Sequence, residues 1–164
     1  MSNQNAFKAV FLTEIRRRLF EESFPRLRQC LAELSEDEIW YKANDNSNAV
    51  GNLALHLCGN VRQWIVSGLG GETDNRQRDL EFLPDSRIPV KELLHLIDTT
   101  EKDAAEVLRH CTTSDLLKIR DVQIYKETGI AILIHVVEHF SYHVGQITYF
   151  VKYRRDIDMG YYEL

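Results

Sequence analysis

The sequence is poor in the features that cross-link, anchor or export a chain. It has only three cysteines, Cys30, Cys58 and Cys111, an odd number with no Cys-x-x-Cys spacing. That argues against a disulfide framework and fits reduced thiols in a cytoplasm. Positive charge is also short: 20 lysines and arginines against 25 acidic residues leave a net charge of −5. A nucleic-acid partner, which needs a basic patch on the phosphate backbone, is therefore not expected. No apolar run reaches the length of a membrane span, so no membrane partner is expected. Glu14 and the Arg16-Arg17-Arg18 run leave no room for a signal-peptide core in the first twenty residues. Internal repeats and low-complexity tracts are absent as well. What the sequence does have is 44% hydrophobic residues over 164 positions, enough for one substantial core and a single domain, 1–164.

The apolar residues recur with a helical period. Phe7, Val10, Phe11, Ile15, Leu19, Phe24, Leu27 and Leu31 form one stripe, which predicts a first helix from near Ala6 past Arg28. Pro25 falls inside that stripe, where a kink or break is expected. The triple arginine reads as a solvated face neutralised by Glu14, Glu21 and Glu22. A loop from Glu36 to Ser47 follows. Ser47 or Asn48 is the expected cap of a second helix reaching about Ser67, ended by Gly68, Gly70 and Gly71. The polar stretch from Glu72 to Ile88 should be irregular. Pro89 opens a third helix to about Cys111. Lys118 to Tyr125 has room for a short strand or a crossover. Thr128 caps a fourth helix, Gly129 to about Arg154. The fold class expected is all-α: a four-helix bundle with one long crossover connection.

The fourth helix carries the most informative residues. His135, His139 and His143 recur every four positions. A helix turns about 100° per residue, so such residues lie on one face, and neighbouring pairs can grip one metal ion. The helix is apolar almost all round, which predicts burial. The second helix has a matching polar row, Asn52, His56, Asn60 and Gln63, flanked by Leu53, Leu57, Val61 and Trp64. Cys58 projects away from His56. His95 and His110 lack ligand-like neighbours and read as surface residues.

Two metal registers compete. One pairs His135 with His139 and makes Glu138 the base, as in the inverted zincin pattern H-x-x-E-H of metal-dependent hydrolases. That register needs a third, usually acidic, ligand. The other pairs His139 with His143 and adds His56; it accounts for the polar row and leaves a coordination position open. A di-iron bundle would need two Glu-x-x-His motifs, and only Glu92-Leu-Leu-His95 has that spacing. Tyr142 and Tyr149 are candidates to line a pocket. Arg76 and Arg78 read as surface ion pairs, with an anionic substrate as the alternative.

His139-Phe-Ser-Tyr-His143-Val-Gly-Gln146 resembles the last-helix signature of the DinB-like superfamily, H-x-x-x-H-x-G-Q. Asn52-Leu-Ala-Leu-His56-Leu-Cys-Gly59-Asn60 is similar to its second-helix motif. Arg76-x-Arg78-Asp79-x-Glu81-Phe82 is similar to a loop in one uncharacterised bacterial branch. The resemblance covers nearly the whole chain. It implies a four-helix bundle holding a divalent metal ion through His56, His139 and His143, and a homodimer. It also implies, for some relatives, metal-dependent transfer of the thiols bacillithiol or mycothiol. Zinc is the default for imidazole ligands; nickel, manganese and iron also suit them. Asn60 and Gln146 are expected to orient the ligands. The expected substrate is a small molecule, a low-molecular-weight thiol. A non-catalytic metal-binding or stress-response module is the competing expectation.

Overall fold

The computed structural model describes residues 3–162. Four long helices dominate it. The first, α1 (3–32), runs as an α-helix over Asn3–Arg16, a π-helical stretch over Arg17–Ser23 and an α-helix again over Phe24–Ala32. Pro25 thus does not break the helix. It has no N–H to donate, and it falls just after the stretch whose hydrogen bonds reach one residue further back. The short α2 (Glu36–Ile39) opens with a capping box between Ser35 and Glu38.

The second long helix, α3 (50–69), is α-helical over Val50–Val61 and π-helical over Arg62–Leu69. Its cap position is Ala49, not Ser47 or Asn48. The reason is local: Ser47 Oγ donates to the Asn44 carbonyl at 3.0 Å and accepts from the Asn44 amide at 3.1 Å, which closes a separate turn. The helix ends before Gly71, whose φ is +85°. Gly68 lies inside it, where a Cβ would sit 2.7 Å from Val122.

After two 3₁₀ turns, Arg78–Phe82 and Pro84–Ser86, α4 (Val90–His110) follows, with Pro89 at its cap rather than in its first turn. A short α5 (Thr113–Leu117) leads into a hairpin of β1 (Ile119–Val122) and β2 (Tyr125–Thr128), paired antiparallel with Val122 opposite Tyr125. Thr128 Oγ1 then accepts from the Ala131 amide and caps α6 (Gly129–Arg155). The mostly α-helical bundle expected from the periodicity is present, with a small two-stranded hairpin added.

Residue pairs fix the helix directions. Phe24 meets Phe140 with centroids 4.7 Å apart, and Cys30 meets Thr148 at 3.5 Å, so α1 and α6 run parallel. Arg62 binds Asp103 at 2.7 Å and Gly70 abuts Val107, so α3 and α4 also run parallel. Arg16 donates to the Leu108 carbonyl and Arg28 to Asp98, which makes α1 antiparallel to α4. Two consecutive parallel helices cannot be joined by a tight turn. The chain from 70 to 89 therefore travels back along the bundle, and this is the long crossover. It passes over the polar row of α3. Asn52 Nδ2 donates to the Glu81 carbonyl at 2.9 Å and to Ser86 Oγ at 3.0 Å, while Gln63 Nε2 donates to Asp74 at 2.7 Å. Part of the row thus ties the crossover down.

Candidate metal centre

His56 reaches inward from α3, and His139 and His143 from α6, which runs antiparallel to it. His56 Nε2 and His139 Nε2 are 2.8 Å apart. The ring of His143 lies edge-on to both, with centroids 5.1 Å from His56 and 4.6 Å from His139. One nitrogen from each of the three rings lies within 4.8 Å of the others. A tetrahedral ion with bonds of about 2.0–2.1 Å sets its donors about 3.3 Å apart, which falls inside this range. His56 is 5% exposed, and the other two are half-buried.

The electrostatics suit ligation. Burial, followed by His143 and His56 nearby, pushes His139 down to about 3. Burial also lowers His143, against a bond to Gln146 that raises it. Both rings are therefore neutral near pH 7, with lone pairs to offer. His143 Nδ1 donates to Gln146 Oε1 at 2.7 Å, which turns its Nε2 towards the cluster. Around His56 the crossover closes in. Glu81 Oε2 lies 2.8 Å from His56 Nδ1, and Phe82 packs its ring 5.0 Å from the imidazole. Arg76 donates through Nε to Glu81 Oε1 at 2.7 Å and through Nη2 to Oε2 at 2.9 Å. Its Nη1 donates to Gln63 Oε1 at 2.9 Å. Burial alone would raise the Glu81 carboxyl, but Arg76 and His56 outweigh it and hold it below the usual glutamate range.

Residues 6–161 match the model of a family described as "Protein of unknown function (DUF1572)". The chain belongs to that family. The fold is DinB-like. The chain is similar to the crystal structure of a DinB-like protein of Bacillus subtilis, YjoA, with a TM-score of 0.65 over 90% of this chain and 94% of that one. At 16% identity the likeness is one of fold. No curated protein matches the chain.

The DinB-like bundle leaves His135 out of the cluster. Asn60 Nδ2 donates to His135 Nε2 at 3.2 Å, and Trp64 stacks on the ring with centroids 3.9 Å apart. Asn60 therefore supports His135 and not one of the three clustered rings. The antiparallel pairing explains it: one turn forward on α3 meets one turn back on α6. Glu138, the base of the inverted-zincin register, is exposed, as are His95 and His110. Cys58 is buried away from the cluster, and burial pushes its thiol up to about 12. Tyr142 flanks His143 with centroids 5.0 Å apart, whereas Tyr149 is 75% exposed.

Arg78 is an exposed residue 4.0 Å from Asp79, as expected of a surface pair. Arg76 is the correction: its side chain is 5% exposed and it belongs to the site's wall. Glu81 was not legible as a site residue in the sequence, although the Arg-x-Arg-Asp-x-Glu-Phe string that carries it was. A cavity of about 500 Å³ lies under the crossover and is lined by Cys58, Arg62, Gln63, Arg76, Leu80 and Leu96 among others. None of the three clustered histidines lines it, because the Arg76–Glu81 pair stands between.

Proposed function

We propose that the chain binds one divalent metal ion through His56, His139 and His143 and works as a metal-dependent thiol S-transferase, joining a low-molecular-weight thiol to an electrophile. The observation that carries the metal is the gathering of three imidazole nitrogens within 4.8 Å of one another. Zinc is the first choice for such a donor set; nickel, manganese and iron also accept it. Held by three neutral ligands, the ion would keep its charge and one open position, where a thiol or water becomes more acidic. The protein's own part is to keep the rings neutral and aimed. Burial does the first, and Gln146 does the second for His143.

The transferase step draws on the DinB-like resemblance. A non-catalytic metal-binding module is favoured by a different observation: the cavity of about 500 Å³ opens behind the Arg76–Glu81 pair and not at the histidines. A homodimer belongs to the same proposal, since α6 leaves Tyr142, Tyr149 and Tyr153 exposed at 64, 75 and 77% along one face. So does a cytoplasmic setting, in which the buried thiols of Cys30, Cys58 and Cys111 stay reduced. Among the described residues, no helix is long and apolar enough to cross a membrane. The deciding experiment is metal analysis of the purified protein, then a thiol-conjugation screen with that metal removed and restored. Conjugation that follows the metal supports the transferase; tight metal without turnover on any thiol or electrophile supports the binding module.

A further inference from the structure

The crossover gives no member to the histidine cluster, yet its most deeply held side chains converge on one ring. Glu81 Oε2 faces His56 Nδ1 at 2.8 Å. A carboxylate only accepts, so the ring nitrogen that faces it carries the hydrogen. Arg76 Nη2 also comes within 3.1 Å of that nitrogen, but its hydrogens are engaged by Glu81 Oε2 at 2.9 Å and the His56 carbonyl at 3.4 Å. With hydrogen on Nδ1, His56 presents a bare Nε2, and that is the atom turned towards His139.

The arrangement is built. The Glu81 and Arg76 side chains are 12% and 5% exposed. Gly59 makes room for them: a Cβ there would fall 2.1 Å from Glu81 Oε1 and 2.8 Å from Arg76 Nε. Asn52 holds the Glu81 backbone from the turn before His56. His143, by contrast, is steadied by the neutral amide of Gln146 on its own helix.

We propose that Glu81, clamped by Arg76, is a positioning residue of the metal site: it holds His56 in the Nδ1–H form and so presents Nε2 to a divalent ion. This rests on the reading of His56, His139 and His143 as ligands. A carboxylate behind a ligating imidazole fixes its orientation and raises its basicity, and loss of such a partner costs about 10–100-fold in metal affinity. Linkage makes the effect reciprocal, so a bound ion tightens the hold of α3 on the crossover.

The test uses the full chain as wild type, Glu81→Gln, Glu81→Ala and His56→Ala. Zinc affinity is measured by competition with a chromophoric chelator, and imidazole tautomers by long-range proton–nitrogen correlation in the metal-free protein. The wild type should show His56 in the Nδ1–H form. Glu81→Ala should lose that preference and bind zinc about 10–100-fold more weakly, with the tautomer of His143 unchanged. Glu81→Gln keeps the size and an accepting oxygen, so it should keep the tautomer and lose less affinity; it carries the test if the alanine variant fails to fold. Wild-type affinity in Glu81→Ala, or in Glu81→Gln where the alanine variant does not fold, or an Nε2–H form of His56 in the wild type, would overturn the proposal alone. Absence of zinc binding in the wild type, or full binding by His56→Ala, would overturn it together with the ligand assignment.

Discussion

Gly59→Ala separates helix propensity from the docking of the crossover, because the two act in opposite directions. Gly59 sits within the α-helical part of α3, and an alanine inside a helix is favoured over glycine by about 0.5–1 kcal/mol. The new methyl would lie 2.1 Å from Glu81 Oε1. A flexible carboxylate could swing away, but this one is pinned: Arg76 takes both oxygens and His56 takes one of them. Moving it sacrifices at least the Arg76 Nε bond, and a hydrogen bond to a charged group is worth about 1.5–3 kcal/mol. The net expectation is destabilisation by about 1–2 kcal/mol. For a chain of this size that lowers Tm by roughly 2–8 °C. Thermal denaturation followed by circular dichroism reads the shift, and limited proteolysis between residues 72 and 86 reads the undocking. With Arg76→Ala and Glu81→Ala both in the background the close contacts at Gly59 are gone, so the same substitution should stabilise by about 0.5–1 kcal/mol. A rise in Tm in the wild-type background, with the crossover still protected, would refute the claim that the Arg76–Glu81 pair is rigidly seated on α3.

Metal content should vanish in His143→Ala and persist in His135→Ala, measured by mass spectrometry of the dialysed proteins; the reverse pattern would restore the inverted-zincin register with Glu138 as base. Acid should unfold the metal-free protein early. His139 is depressed to about 3 against an unfolded value of 6.5, so the unfolded chain binds the proton first. Stability is full above the unfolded value and falls as pH drops from 6.5 towards 3, with the loss above pH 4.5 assignable to histidine and not carboxylate protonation. Urea midpoints in chelator from pH 8 to 4.5 measure it, and a flat profile contradicts the burial described. Tyr149→Lys should lower the association of a homodimer in analytical ultracentrifugation; unchanged sedimentation would take this face out of the interface.

Periodicity located the long helices because each buries a continuous apolar stripe, and that signal does not depend on neighbours. The histidine cluster was legible for a related reason: His139 and His143 share a face, and the only comparable polar row lies on α3. Three features were not legible. The π-helical stretches at Arg17–Ser23 and Arg62–Leu69 carry no residue pattern that separates them from an α-helix. The start of α3 depends on a turn at Asn44–Ser47 that withdraws the capping side chain. Glu81 and Arg76 lie in a polar segment whose partners come from another helix, and only the path of the crossover brings them to His56. Asn60 lies one turn on from His56 in α3, and its pairing with His135 depends on the antiparallel stagger of α3 against α6.

The crossover also divides the chain in a useful way. A cut near residue 87 would leave one piece with α1, α2 and α3, and a second with α4, β1, β2 and α6. The first piece would keep His56 together with Glu81 and Arg76. The second would keep His139 and His143. Neither holds the three-histidine set. The surfaces that would rejoin them are those of α1 on α6 and α3 on α4, including the pairs Phe24–Phe140 and Arg62–Asp103. A metal ion held by the three histidines would then be a fastener between two polypeptides, and its supply would govern whether the halves stay together.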